Sequence, residues 1–205
     1  MKFLLFFLFL TQAYGNTWPN FGGPLRNQIS DEKGLKTNWE EQEPKRLWEL
    51  NIGLGYSSII EVGGFAYTQG HSEGRNTLYC VEALTGKEIW QHSYPCEKAP
   101  KFFDGGSRAT PTIANGILYL GSHEGDFYAL DAKSGQILWT KNLVKDFDGR
   151  RPMWGYSGSP LVVEGKLILE TGSASGSLVC LDAQKGDLIW RVGGNEAGYA
   201  SPMLN

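Results

Sequence analysis

A nine-residue sequence recurs three times in this 205-residue chain and constrains its fold more than any other feature. The copies read EALTGKEIW at 82–90, DAKSGQILW at 131–139 and DAQKGDLIW at 182–190. In each copy a glycine precedes a tryptophan by four positions, and the tryptophans lie 49 and then 51 residues apart (positions 90, 139 and 190). A period of about 50 residues that contains several short strands is typical of β-propeller blades. We therefore expect an all-β fold.

Each repeat predicts four antiparallel strands. The first strand ends at a dipeptide closing in glycine, Gly63-Gly64, Asn115-Gly116 or Glu164-Gly165, as tight hairpin turns with positive φ require. The nonapeptide follows the third strand and carries a tryptophan onto the fourth. Asp131 and Asp182 are expected to hydrogen-bond their own turns, and Glu82 to do so less well. The repeat residues that define the pattern are Gly86, Trp90, Asp131, Gly135, Trp139, Asp182, Gly186 and Trp190. The tryptophans are expected to wedge against the neighbouring sheet, since an indole buries about 150–250 Å².

The repeat resembles that of the pyrroloquinoline-quinone-like (PQQ-like) β-propeller proteins, whose pattern LDAxTGxxxW matches 130–139 and 181–190. The segments WPNFGGPLRNQ (18–28) and PKRLWELNIGLGYSS (44–58) are also similar to secreted bacterial members. Among these are the propeller subunit of the bacterial outer-membrane assembly machinery and polyvinyl-alcohol-dehydrogenase-like proteins. The resemblance implies a ring of seven or eight blades. The chain then holds three complete blades, at about 56–95, 108–144 and 157–193, with the start of another at 201–205.

The domain boundaries follow from this pattern. Residues 1–15 are expected to be a signal peptide, because a lysine is followed by eight apolar residues and then by Ala13-Tyr14-Gly15. Residues 16–45 form an N-terminal segment, and 46–205 a partial propeller. RLWEL (46–50) resembles an outer strand without a blade of its own. We therefore expect an N-terminal fragment of a longer exported protein, periplasmic or extracellular, without a transmembrane segment in the mature chain.

The net charge argues against one class of partner, and the cysteine positions indicate which thiols are buried. Removal of 1–15 takes away Lys2 only, so 19 − 1 = 18 basic residues face 22 acidic ones, a balance of −4. A nucleic-acid partner is not expected, because such proteins normally carry a basic face. Cys80 and Cys180 occupy equivalent strand positions and are expected to be buried, whereas Cys96 lies in a polar connection.

Candidate binding residues precede the inner strands. GLGYSS (53–58), GGSRATP (105–111), MWGYSGS (153–159) and EAGYASP (196–202) are equivalent, and they predict a ligand site at one mouth of the central channel. Its residues are Tyr56, Arg108, Trp154, Tyr156 and Tyr199. Alternatively, the tyrosines pack between adjacent strands. The two interblade connections (95–106 and 144–155) predict partner-binding loops or, equally, self-paired surface loops; their residues are Phe103, Asp104, Asp146, Asp148, Arg150 and Arg151.

The sequence predicts neither a catalytic residue nor a metal site. His71 and His123 are expected at equivalent hairpin tips one blade apart, poorly placed to share an ion. Quinone-dependent dehydrogenases of the superfamily hold PQQ with calcium, and many have adjacent cysteines, which this chain lacks. PQQ with calcium is therefore implied by the resemblance alone. We expect a non-catalytic binding or assembly scaffold whose partner is another protein or an extracellular ligand. The alternative is a PQQ-dependent alcohol dehydrogenase.

Overall fold

The computed structural model describes residues 17–36, 38–40, 43–100 and 103–204. The expected signal peptide lies outside these residues. The regular secondary structure of these described residues consists of strands alone. Twelve strands form three four-stranded antiparallel sheets. The first sheet contains β1 (Ile60–Val62), β2 (Phe65–Ser72), β3 (Arg75–Glu82) and β4 (Glu88–Pro95). The second contains β5 (Thr112–Ala114), β6 (Ile117–Gly121), β7 (Asp126–Asp131) and β8 (Ile137–Asn142). The third contains β9 (Leu161–Val163), β10 (Lys166–Ser173), β11 (Gly176–Asp182) and β12 (Leu188–Val192).

Strand order in every sheet follows chain order, so each repeat is one blade and the predicted fold class is confirmed. The first two strands of a blade are joined by two residues that both have positive φ, for example Asn115 at 51° and Gly116 at 77°. This backbone matches the right-handed twist of the strands that it joins. Each blade also has a register shift between its third and fourth strands, at Cys80/Val81, Ala129/Leu130 and Cys180/Leu181. The three sequence copies therefore fold as three copies of one sheet.

The aspartate turns behave as the sequence predicts. One carboxylate oxygen of Asp131 accepts hydrogen bonds from the amides of Lys133 (3.1 Å) and Ser134 (2.7 Å) and from the Ser134 hydroxyl (2.7 Å). These bonds hold the pKa of Asp131 below its ordinary value. The equivalent carboxylate of Asp182 accepts from two turn amides at 2.9 Å. The Glu82 carboxylate accepts from the Thr85 hydroxyl instead.

The tryptophans join consecutive blades. The indole nitrogen of Trp90 donates to the carbonyl oxygen of Ala132 (3.2 Å), and that of Trp139 donates to Ala183 (3.1 Å). Each ring also covers the turn glycine of the next blade, where a Cβ on Gly135 would lie 2.7 Å from the ring of Trp90. Only a glycine leaves room for an indole at this distance.

Trp48 docks in the same way on the first blade. Its indole nitrogen donates to Ala83 (2.9 Å), and its ring lies over Gly86. Residues 43–50 form no regular strand, so Trp48 occupies a blade-joining position without a sheet behind it. On the last blade Trp190 is 40% exposed. Residues 201–204 form no strand, and a further blade beginning at 201 stays a prediction.

The hydrophobic core lies between blades rather than within them. One buried cluster joins the first blade, through Ile60 and Leu78, to Leu118 and Leu130 of the second. A second cluster joins the second and third blades. Cys80 and Cys180 are buried as expected, all three cysteines are free thiols, and Cys96 is buried too. The polar connection therefore delivers Cys96 to the core between the first two blades.

The N-terminal segment crosses the first strands of all three blades. Trp18 forms a β-bridge with Glu61 of β1, and the amide of Ile113 in β5 donates to the carbonyl of Pro19 (2.8 Å). The guanidinium of Arg26 then donates to the carbonyl of Pro160, immediately before β9 (2.9 Å). The described residues contain no helix that is long and apolar enough to cross a membrane.

Candidate functional site

An open groove of about 410 Å³ lies where the interblade connections meet the N-terminal segment. Tyr56, Arg108 and Tyr199 line it, so three of the five predicted ligand-binding residues share one surface. Phe21 and Arg26 of the N-terminal segment line the same groove. The groove is therefore built from the segments before three inner strands and from a part of the chain that sequence analysis did not assign to the site.

Arg108 is a partly buried cation with spare hydrogen-bonding capacity. One terminal nitrogen donates to the carbonyl of Ala99 (3.1 Å), and the guanidinium carbon lies 5.0 Å from the centre of the Phe103 ring. Its Nε is buried without a hydrogen-bond partner among the described residues. Burial lowers the pKa of Arg108, but an arginine stays charged at any physiological pH. The side chain can therefore bind an anion.

Tyr56 lines the groove, and Phe103 packs against it. Tyr56 is 58% exposed, and its ring meets Phe103 edge to face at 5.4 Å. The amide of Tyr56 donates to the carbonyl of Ser107 (2.8 Å), and this hydrogen bond links Tyr56 to the residue before Arg108. Phe103, predicted as a partner-binding residue, thus packs against both Tyr56 and Arg108.

Tyr199 also lines the groove, and Trp154 packs against it. Their rings lie 5.4 Å apart with an interplanar angle of 34°, and both side chains are partly exposed. The backbone amide of Trp154 points at the Tyr199 hydroxyl (3.4 Å). Trp154 therefore holds Tyr199 in place at the edge of the groove.

Tyr156 lies elsewhere, packed between the second and third blades. It is buried, and its hydroxyl donates to the carbonyl of Thr171 (2.9 Å). Burial raises the pKa of this hydroxyl to about 12. Gly125 and Gly149 make room for the ring, since a Cβ on Gly149 would lie 2.7 Å from the hydroxyl oxygen. Tyr156 therefore follows the packing alternative, whereas Tyr56 and Tyr199 face the groove.

Ser157 takes the groove position that the sequence suggested for Tyr156. Counted back three residues from Pro111, Pro160 and Pro202, the aligned positions are Arg108, Ser157 and Tyr199. All three line the groove. The connection before the third blade has one extra residue, which moves the tyrosine out of register. A fixed offset from the prolines would have identified Ser157.

A second row of groove residues carries hydroxyl groups. Counted back one residue from the same prolines, the positions are Thr110, Ser159 and Ser201, and all of them line the groove. The Thr110 hydroxyl oxygen accepts from the Ser58 amide (2.9 Å), and the Ser201 hydroxyl oxygen accepts from the Ser159 amide (2.9 Å). The Thr110 hydroxyl thus links the segments before the first two blades, and the Ser201 hydroxyl links the segment before β9 to the residues after the third blade. Both hydroxyls keep their own protons available for donation to a ligand.

The remaining predicted partner-binding residues divide into self-paired and exposed ones. Asp146 accepts a hydrogen bond from the amide of Asn142 (2.7 Å) within its own loop, and Arg151 lies 3.9 Å from Glu124. Asp104, Asp148 and Arg150 are exposed. Both alternatives for these loops are therefore represented.

A buried polar layer lies between the first two blades. It includes His71 and His123, which are 4% and 1% exposed. The connection before the third blade covers His123, because Tyr156 donates its amide to the His123 carbonyl (3.0 Å). In the first blade, Nδ1 of His71 lies 3.0 Å from the Asn76 side-chain oxygen. His123 thus lies in the turn between β6 and β7, as expected, whereas His71 is a residue of β2 next to its hairpin turn.

His123 is a neutral base in this layer. Its Nδ1 lies 3.6 Å from the sulfur of Cys96, and its Nε2 is buried without a partner in the described part of the chain. Burial, together with the charges of Arg108, Arg151 and His71, lowers the pKa of His123 to about 4. Burial is also the main reason that the pKa of Cys96 is raised to about 12. Neither group supplies a thiolate or an imidazolium at neutral pH. No group of three metal-ligating side chains occurs in the described ranges.

The chain matches a family model described as outer membrane protein assembly factor BamB over residues 74–204. It is 31% identical over 192 residues to the dehydrogenase subunit of a quinone alcohol dehydrogenase from Komagataeibacter europaeus, covering 87% of this chain and 24% of that protein. It is 30% identical over 135 residues to quinohemoprotein alcohol dehydrogenase ADH IIB of Pseudomonas putida, covering 62% of this chain and 18% of that protein. The chain thus spans about a quarter or less of these relatives.

Among solved structures, the quinohemoprotein alcohol dehydrogenase of Comamonas testosteroni superposes with a TM-score of 0.63 at 22% identity. The match covers 86% of this chain and 27% of that one. The computationally designed Ika4 protein superposes with a TM-score of 0.51 at 15% identity, covering 79% of this chain and 88% of that one. At these identities the superpositions establish the fold.

Proposed function

Because this chain belongs to the PQQ-like β-propeller family, we propose that it acts as a non-catalytic binding scaffold whose groove binds a small anionic ligand through Arg108. The observation that carries the proposal is the partly buried guanidinium of Arg108, which lines a groove of about 410 Å³ and whose Nε has no hydrogen-bond partner among the described residues. A partly desolvated cation is costly, and an anionic ligand group would offset that cost through charge-assisted hydrogen bonds. The groove provides the space for that ligand.

The surroundings of Arg108 suit an organic anion with a flat apolar body. Tyr56 and Tyr199 present exposed rings on two sides of the groove, and flat rings bind planar ligands at small entropic cost. The hydroxyls of Thr110 and Ser201 can donate to acceptor atoms, since their oxygens already accept from backbone amides. Export to the periplasm or beyond, which the N-terminal sequence predicts, belongs to the same proposal.

The proposal is tested by calorimetric titration of the chain with benzoate and with uncharged benzamide. Benzoate should bind and benzamide should not, and Arg108→Gln should weaken benzoate binding by about tenfold or more, because a charge-assisted hydrogen bond contributes about 1.5–3 kcal/mol. Arg46→Gln is the matched control, since Arg46 is exposed and pairs only with Glu49. Equal affinities for the two probes, or unchanged benzoate binding by Arg108→Gln, would contradict the proposal.

A second candidate is the quinone-binding part of an alcohol dehydrogenase, which the quinone-dependent relatives favour. PQQ is a flat, carboxylated aromatic molecule, and Arg108, Tyr56 and Tyr199 fit a group of that kind. When bound, the quinone would supply the oxidant for an alcohol. The residues that would hold it here are Arg108, at a carboxylate, and the Thr110 and Ser201 hydroxyls. We assign no calcium ligand to the described residues.

The two candidates are separated by titrating the chain with PQQ in the presence of calcium. The scaffold proposal expects PQQ to bind no tighter than benzene-1,3,5-tricarboxylate, and ethanol to reduce no dye in the presence of PQQ. Stoichiometric PQQ binding with ethanol-dependent dye reduction would establish the second candidate and overturn the first.

A further inference from the structure

The N-terminal segment forms a rigid loop at the groove. Three backbone hydrogen bonds close it, namely Gly23 to Asn20 (3.1 Å), Arg26 to Gly23 (3.0 Å) and Gln28 to Gly22 (2.8 Å). Gly23 lies against the Trp18 ring, where a Cβ would come within 2.7 Å. Arg26 has a φ of 55°, a left-handed conformation that a non-glycine residue adopts only where its surroundings impose it. The loop therefore fixes the position of Arg26.

The guanidinium of Arg26 is partly buried without a counter-ion. One terminal nitrogen donates to the Pro160 carbonyl (2.9 Å), while Nη1 is buried without a partner among the described residues. No Asp or Glu in the described ranges forms an ion pair with it. Burial lowers the pKa of Arg26 for the same reason that it lowers that of Arg108. A partly desolvated cation in this state is unfavourable until an anion reaches it.

Arg26 and Arg108 line the same groove, and each has an unsatisfied hydrogen-bond donor. In each guanidinium one terminal nitrogen donates to a backbone carbonyl. A second nitrogen, Nη1 of Arg26 or Nε of Arg108, is buried and has no hydrogen-bond partner among the described residues. They reach the groove from different parts of the chain, Arg26 from the N-terminal segment and Arg108 from the connection before β5. A ligand with a single anionic group at Arg108 would leave Arg26 without an anionic partner.

We propose that the groove binds a small organic dianion, with one anionic group at Arg108 and a second, separate one at Arg26. The N-terminal segment is then part of the binding site and not only a connection to the first blade. This inference rests on the proposed anion-binding function and specifies its ligand class. It places a selectivity-determining residue in a segment that precedes the first blade.

Rigid aromatic dicarboxylates test the inference against benzoate. Isophthalate, terephthalate and biphenyl-4,4′-dicarboxylate span a range of carboxylate separations, and at least one of them should bind about tenfold or more tighter than benzoate. Arg26→Asn should remove most of that difference, because it should weaken dicarboxylate binding by a larger factor than benzoate binding. Asparagine tolerates the left-handed backbone at this position, so the variant removes the charge without adding strain. Arg26→Lys, which keeps the charge, should retain part of the preference, and Arg46→Gln should retain all of it.

The outcomes distinguish the two proposals. If carboxylates bind and depend on Arg108, but Arg26→Asn leaves the preference for dicarboxylates unchanged, the dianion inference is overturned and the anion-binding function stands. The inference is also overturned if Arg26→Asn weakens benzoate as much as the dicarboxylates. If no carboxylate binds the chain, both proposals fail. Thermal unfolding of each variant shows that the fold is kept, and the Arg26→Lys titration decides the question should Arg26→Asn unfold.

Discussion

The indole nitrogen of Trp139 lies 3.1 Å from the carbonyl oxygen of Ala183, a residue of the next blade. The same ring covers Gly186, so one side chain of the second blade contacts both the start and the glycine of the third blade's turn. Trp90 and Trp48 repeat these two contacts one and two blades earlier. This contact, together with the buried clusters between the sheets, determines the angle at which blades follow one another.

Trp139→Ala should lower the free energy of unfolding by about 3–5 kcal/mol, because it leaves a cavity between two blades and removes the indole hydrogen bond to Ala183. Trp190→Ala is the matched control, since Trp190 is 40% exposed and should cost about 1 kcal/mol. Urea denaturation followed by circular dichroism measures both values. Equal losses would show that the tryptophans do not act through the next blade.

Gly186→Ala should destabilise the protein more than Gly165→Ala. Both glycines have a φ of 73°, but a Cβ on Gly186 would lie 2.8 Å from the Trp139 ring, whereas one on Gly165 meets nothing within 4 Å. Gly165→Ala should cost about 1–2 kcal/mol of backbone strain, and Gly186→Ala about 1–3 kcal/mol more from the added clash. The difference between their urea midpoints measures the contact; no difference would contradict it.

Glu164→Asn should stabilise the protein by about 0.5–1 kcal/mol, because Glu164 has a φ of 47° in a turn that favours asparagine or glycine. The weak contact with Lys166, 3.9 Å away, is exposed and contributes little. The melting temperature should rise by about 1–4 °C. The reverse change at the equivalent position, Asn115→Glu, should lower it, and a rise there would refute the explanation.

Acid should destabilise the fold through His123. Its pKa in the folded protein is about 4, against 6.5 for an unperturbed histidine. Between these values the unfolded chain binds more protons, so stability is fully present above about pH 6.5 and falls as the pH drops towards 4. From pH 7 to pH 5 this contributes a loss of about 2 kcal/mol.

Urea denaturation of the wild type and of His123→Gln at pH 7 and pH 5 checks this prediction. The variant should lose less stability on acidification. Burial also lowers the pKa of His92, which is only half-buried, so His92→Gln should reduce the acid loss by less. An unchanged pH dependence in His123→Gln would rule out the proposed cause.

Tyr156→Phe should cost about 1 kcal/mol of stability, because it removes the buried hydrogen bond from the Tyr156 hydroxyl to the Thr171 carbonyl, and it should leave benzoate binding unchanged. Tyr199→Ala should do the opposite, weakening benzoate binding with little effect on stability, since its ring is 44% exposed. Calorimetric titration and thermal unfolding of both variants provide the two readouts. Weaker benzoate binding by Tyr156→Phe would place that tyrosine in the groove after all.

The fold could be predicted from the sequence because its signals are local. The glycine four residues before each tryptophan and the turn dipeptides before the second strands specify hairpins, and a regular period then places them in equivalent blades. Trp48 could be identified as well, since RLWEL resembles an outer strand, although the structure retains the docking contact without the strand.

The site was harder to predict because its geometry depends on contacts between distant segments. The connection before the third blade has one extra residue, so Ser157 lines the groove and Tyr156 packs between the blades. The tyrosine ring fits there because Gly125 and Gly149 leave space for it. His123 is buried because residues 155–156 fold over it. Arg26 has no repeat partner, and its position depends on a loop packed against Trp18. Nothing in a repeat pattern identifies such a residue.

The tryptophan contact has a consequence for how such chains grow. Every repeat carries an indole at its end and a matching alanine and glycine near its turn, so a tandem duplication of about 50 codons copies the joint together with the parts that it connects. A lengthened gene would therefore encode an additional unit that already fits its neighbours, and evolution could change the number of units before refining any new surface.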